Sequence, residues 1–205
     1  MNLQESIFLI KSFYPKELLL GKSEDTVKLG ILEQEKFCSF PLELKAYIRE
    51  VCPQNTVLFH GVGNPVELLS RNELSWEMAG YNFNPETKEP LSNWDDSWFL
   101  IAREGGEPII VKLDESNSLS TVYSAMSGEG GWEFFPIADS IGQFLLCAAA
   151  LEHAMNFPGM DDSLDDDFNL VGDAAKWLFP FLRKHAESYY DEWASVFENF
   201  EQVTF

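Results

Sequence analysis

Carboxylates are the reactive groups this chain carries in excess. Asp161, Asp162, Asp165, Asp166 and Asp167 crowd into one short stretch, and Asp95-Asp96 and Glu129 with Glu133 fall in further polar segments. Clustered carboxylates can hold a hard cation, exchange protons as an acid/base pair, or present a negative surface. Calcium loops of the EF-hand type need glycine at the sixth position and glutamate at the twelfth. Counted from Asp161 those positions are Asp166 and Gly172; counted from Asp165 they are Leu170 and Lys176. That motif is excluded. Acid/base pairing has no spacing that sets it apart from chance in so acidic a chain. The remaining use is a charged contact surface, with the aspartates from Asp161 to Asp167 as the leading patch and Asp95, Asp96, Glu129 and Glu133 second.

Other chemistry finds little footing. His60, His153 and His185 are far apart, and Cys38, Cys52 and Cys147 form no CxxC pair. Neither set has the spacing of a zinc site, so no metal is expected. There is no GxSxG elbow. Gly61-Val62-Gly63 lacks the third glycine of a dinucleotide fingerprint, and no GK[ST] loop exists. No catalytic residue and no cofactor is assigned. The odd, dispersed cysteines imply no disulfide framework and suit a reducing compartment.

The 205 residues carry 34 acids against 14 bases, a formal charge of −20. Phosphate backbones and anionic leaflets attract basic surfaces, so neither nucleic acid nor membrane is an expected partner. A basic protein is the natural complement, because opposed fields accelerate encounter. With 45% hydrophobic residues the chain folds. Its longest apolar run, Phe144 to Leu151, is far short of the ~20 residues of a spanning helix. Ile7 to Ile10 follows Glu5 rather than a basic cluster, so no targeting signal is expected and the location reads as cytoplasmic.

The elements that must position these acids follow from the apolar pattern. Leu3 to Phe13 is a helix closed by Tyr14-Pro15, and Ser23-Glu24-Asp25 opens a second that ends near Lys36. Ser39-Phe40-Pro41 begins a third, with Leu44, Tyr47, Ile48 and Val51 on one face. Val57 to Phe59 reads as a short strand, and Pro65 to Leu74 as a helix or turn. Trp98 to Ala102 and Pro108 to Leu113, joined at Glu104-Gly105-Gly106, form a hairpin whose continuous apolar character implies cover on both faces. Ser120 to Met126 is the next strand, and Trp132 to Phe135 follows the turn at Gly128 to Gly131. Asp139 or Ser140 caps a helix that ends near Met155. A boundary falls after residue 157. Beyond the aspartate loop, Asp173 caps an aromatic helix from Ala174 to about Phe200, kinked or split at Pro180. That tail either packs on the domain or forms a dimer or partner groove, so the chain is a monomer or a weak homodimer.

Four stretches resemble the SUKH superfamily of cell-wall-assembly regulators and bacterial toxin-immunity proteins, in that family's order. They are Phe40 to Ile48, the hairpin from Trp98 to Asp114, the strand from Ser120 to Met126, and Ala138 to Leu145. The likeness spans about residues 35 to 155. It departs at Cys52-Pro53-Gln54-Asn55, where a glycine pair is usual. The resemblance implies an α+β fold with helices packed on a sheet; taken with the apolar pattern, the expectation is a mixed, mainly antiparallel sheet flanked by N-terminal and C-terminal helices over residues 1–157, with 158–205, outside the likeness, an acidic loop and helical extension packed on it. It also implies a binding role, either neutralising a toxin domain (often a nuclease) or acting as a regulatory scaffold. A nuclease is basic, which the acidity of this chain would complement.

Overall fold

Apolar runs in the middle of the chain build a six-stranded sheet in a computed structural model that describes residues 1–14, 26–36, 38–91, 93–115, 118–128 and 131–201. The strands are β1 (Val57–Phe59), β2 (Val66–Leu68), β3 (Trp98–Glu104), β4 (Glu107–Lys112), β5 (Val122–Gly128) and β6 (Gly131–Ala138). They lie in chain order across the sheet, and every pairing between neighbours is antiparallel. The sheet, expected to be mixed and mainly antiparallel, is an antiparallel meander throughout. Residues 66 to 68 form a strand where a helix or turn was expected. Their ladder positions between β1 and β3 outweigh the turn signal of Pro65.

Register defines two faces, because side chains alternate along a strand. Phe99, Val111, Val122 and Ala138 lie in one row, and Leu68, Ala102, Ile109, Ser124 and Phe135 in the next. A bulge between Leu100 and Ala102 interrupts β3. Phe99 to Ala102 are all buried, as are Pro108 to Val111, so both faces of the central strands are covered as expected. On one side Trp98 and Phe134 pack at 4.6 Å with Trp94, and Tyr81 packs on Trp132.

Helix α4 (Ile141–Met155) runs along the other side, between α1 (Leu3–Phe13) and α5 (Gly172–His185). Ser140 is its cap, its hydroxyl accepting from the Gln143 N–H at 2.9 Å. At Gly142 the α1 and α4 backbones approach so closely that a Cβ would lie 2.9 Å from Leu3 Cα. Helix α2 is Thr26–Lys36; its expected start at Ser23 to Asp25 and Pro15 lie outside the described residues. Helix α3 (Leu42–Ala46) continues into a π-helical turn, Tyr47–Val51, and buries Leu44, Tyr47, Ile48 and Val51.

The tail departs from the expected helix of Ala174 to about Phe200, kinked or split at Pro180. Helix α5 runs unbroken through Pro180 and stops at His185; a 3₁₀ turn and the short α6 (Tyr190–Ala194) follow. Pro180 is exposed while Leu178, Phe179 and Leu182 are buried. The unmet carbonyl therefore faces solvent, and buried neighbours hold the helix together. The break comes at Glu187, whose φ is 54°. Asp173 is not the cap: Val171 occupies that position, and Asp173 sits in the first turn bonded to Lys176 at 2.8 Å. Leu170, Leu178, Phe179, Leu182 and Phe197 join the same core as α1, α4 and the sheet.

Candidate functional site

Asp161, Asp162, Asp165, Asp166 and Asp167 are all exposed, the last three on a loop closed by a Leu164–Leu170 bridge. Asp165 shapes that loop. Its carboxylate accepts from the N–H groups of Asp167 at 3.0 Å and Asn169 at 2.9 Å, and from the Asn169 side chain at 2.9 Å. The Asn169 amide, then these backbone N–H groups, hold the carboxyl below its ordinary value. Next to the aspartates, Phe168 is 57% exposed and has a φ of 59°. That is an uncommon conformation for a bulky residue, and it leaves an aromatic ring in solvent beside acids.

The second group of predicted acids is dispersed. Asp95 accepts from the Ser97 N–H at 2.8 Å and hydroxyl at 2.7 Å, closing the turn into β3; these bonds lower its carboxyl. Exposed Asp96 pairs with Lys36 at 3.1 Å. Glu129 lies outside the described residues. Glu133 is exposed on β6, opposite Met126 and on the same face as Phe135.

That face borders a feature the sequence did not disclose, a cavity of about 410 Å³ between the sheet and the helices. Ile109, Ser124 and Ala125 contribute its floor, and Phe144, Ala148 and Leu151 of α4 one wall. Trp193 and Val196 close the opposite side, where the Trp193 indole donates to the Ile137 carbonyl at 2.8 Å. Met126 and Phe135, 63% and 42% exposed, stand at its edge. Its polar groups include Asn64, Ser124, Glu104 and Glu192. Burial, with Glu107 opposite it, pushes the half-buried Glu104 carboxyl above the usual range. Among the described residues its lining holds the Ser124 hydroxyl but no histidine, lysine or cysteine beside it.

Several acids are instead committed to the fold. Glu43 is buried and accepts from the backbone N–H groups of Ser120 at 2.7 Å, Gly142 at 3.2 Å and Ile141 at 3.3 Å. Burial raises its carboxyl, and those three donors oppose the rise. Glu152 accepts from the His60 N–H, and Glu67 binds Arg103 through two 2.7 Å contacts. Cys52 and Cys147 are free and buried, Cys38 free and half-buried. Among the described residues no three His, Cys, Asp or Glu side chains group as metal ligands, and no helix is long and apolar enough to cross a membrane. Comparisons with protein-family models, curated proteins and solved structures give no match.

Proposed function

We propose that the protein is a non-catalytic binding module that engages a basic protein by direct contact. The SUKH resemblance and the net charge of −20 make that partner a toxin domain, of the nuclease type, which the chain neutralises as an immunity protein. One observation supports the contact surface: exposed Phe168 stands beside exposed Asp165, Asp166 and Asp167 on a loop ordered by Asp165. Interfaces gain most from a few aromatic anchors, and acids around one steer a cationic partner into place. Such acids contribute chiefly to association rate, since exposed charges are well screened.

The test begins with the protein that co-purifies from native cells. That partner is basic, and its toxic activity falls on adding this chain. Replacing Asp161, Asp162, Asp166 and Asp167 with asparagine, with the loop-ordering Asp165 left in place, slows association about tenfold at low salt and flattens its salt dependence. Phe168→Ala accelerates dissociation instead. An acidic partner, or one whose activity is untouched, overturns the function. Unchanged kinetics in both variants overturn the loop as the contact.

A further inference from the structure

The cavity between the sheet and helices α4 and α6 contains none of the loop aspartates and raises a separate question. Its volume of about 410 Å³ falls within the ~300–1,000 Å³ of small-molecule sites. Its walls are largely aliphatic and aromatic. Its placement of charge is unusual. The β3–β4 hairpin turns through Gly105 and Gly106, with φ of 57° and 93°, which sets Glu104 and Glu107 directly opposite each other. Like charges in that position destabilise a hairpin. Glu104 lies on the cavity side, in register with Val66, which also lines it. Its carboxylate has no hydrogen bond or ion pair with any described side chain. The adjacent Arg103 points to the opposite face, where Glu67 holds both its Nε and a terminal nitrogen. Glu192 contributes a second carboxylate to the lining.

A desolvated carboxylate without a cation, at an apolar cavity, is a half-made ion pair. The geometry points to a binding site for a small organic cation, a primary amine on an apolar body, with the ammonium on Glu104 and the body between Ile109, Ala148 and Trp193. The cation relieves the Glu104–Glu107 repulsion, and the body fills space that no side chain fills. A single side chain reaching in from a partner protein occupies only part of this volume. An anionic amphiphile meets two carboxylates and is repelled.

The probes are 4-phenylbutylamine, 4-phenylbutanol and 4-phenylbutyrate, three ligands of one shape and different charge. Each is titrated by NMR against the full chain, with the Trp193 indole N–H resonance assigned by comparison with Trp193→Phe. The amine moves that resonance and binds roughly tenfold tighter than the alcohol, the scale of a charge-assisted bond at a half-buried site. The carboxylate binds weakest. Glu104→Gln changes one charge in a net −20, so general attraction of cations is almost unaltered. It brings the amine to the affinity of the alcohol, leaves the alcohol unchanged and does not lower the melting temperature. Absence of amine binding overturns the site. So does equal affinity for amine and alcohol, an amine preference that survives Glu104→Gln, or shifts that map to residues 161–168. None of these outcomes bears on capture of a basic protein, which is measured on its own.

Discussion

Gly142→Ala sets helix propensity against packing, and the two predict opposite signs. In an exposed helix, glycine to alanine stabilises by up to about 1 kcal/mol. Here the added methyl would lie 2.9 Å from Leu3 Cα, 3.1 Å from the Asn2 carbonyl carbon and 2.7 Å from Ser6 Oγ. Carbon atoms pack at about 3.5–4.0 Å, so α1 must withdraw by roughly 0.5–1 Å. Ser6 can rotate away, giving up its bond to the Asn2 carbonyl at 3.1 Å. The backbone cannot retreat so easily. Asn2 and Glu5 cap α1 reciprocally, and the Ser140 hydroxyl donates to the Met1 carbonyl at 2.9 Å. Helix α4 is fixed from the other side by Glu43 on the Ile141 and Gly142 N–H groups. Overpacking of this kind costs about 1–3 kcal/mol. Subtracting the propensity gain leaves Gly142→Ala less stable by up to about 2 kcal/mol. Urea denaturation followed by tryptophan fluorescence measures the difference, with the slope unchanged from wild type. A variant as stable as wild type or more so, with unshifted α1 amide resonances, would refute the close approach of these helices.

Glu43→Ala leaves three buried N–H groups without an acceptor and destabilises by about 3 kcal/mol in the same denaturation assay, the relief of a buried charge offsetting part of the loss. Burial raises the Glu43 carboxyl in the folded state, so that state holds its proton more tightly; the margin of wild type over Glu43→Gln therefore narrows as pH rises above about 4.3. Burial lowers the His153 imidazole, which packs between Phe13, Phe157 and Trp177. Folding thus disfavours its protonation, and stability falls as pH drops below about 6.5; melting temperatures of His153→Phe against pH show a shallower acid decline than wild type. Burial pushes the Cys52 thiol up to about 12 and raises Cys147 as well. Ellman's reagent at about pH 8 accordingly titrates Cys38 alone in native protein, and all three thiols once urea unfolds it.

Most of the fold is legible in the sequence wherever one signal acts alone. The apolar runs flanking Gly105-Gly106 give the hairpin, and Leu44, Tyr47, Ile48 and Val51 give a buried helical face. Legibility fails where tertiary contacts compete with a local rule. Pro180 predicts a break, yet burial of Leu178, Phe179 and Leu182 carries the helix through it. Val66 to Leu68 follows the turn signal of Pro65 and holds a glutamate between its apolar residues, and ladder bonds to both neighbours make it a strand. The cavity has no local signature, because Ile109, Ala148 and Trp193 meet only in the folded chain.

Acidity by itself locates nothing on this molecule, because its acids divide into spent and unspent. Glu43 satisfies buried N–H groups, Glu152 the N–H of His60, Glu67 is saturated by Arg103, and Asp95 and Asp165 close turns. Neutralising any of these perturbs the fold before it perturbs a partner, so a scan that reads only lost binding would mistake architecture for recognition. The unspent carboxylates are of two kinds. Asp161, Asp162, Asp166 and Asp167 are exposed, and their value lies in the field they project together. Glu104 is half-buried beside apolar walls, where a single cation gains far more than it would at the exposed loop. The first arrangement suits a large, diffuse, cationic protein surface and is sensitive to salt. The second suits one small ammonium and is much less so. Measuring the salt dependence of both binding events on the same chain therefore separates them: a steep slope for the protein partner, and a shallow one for the amine.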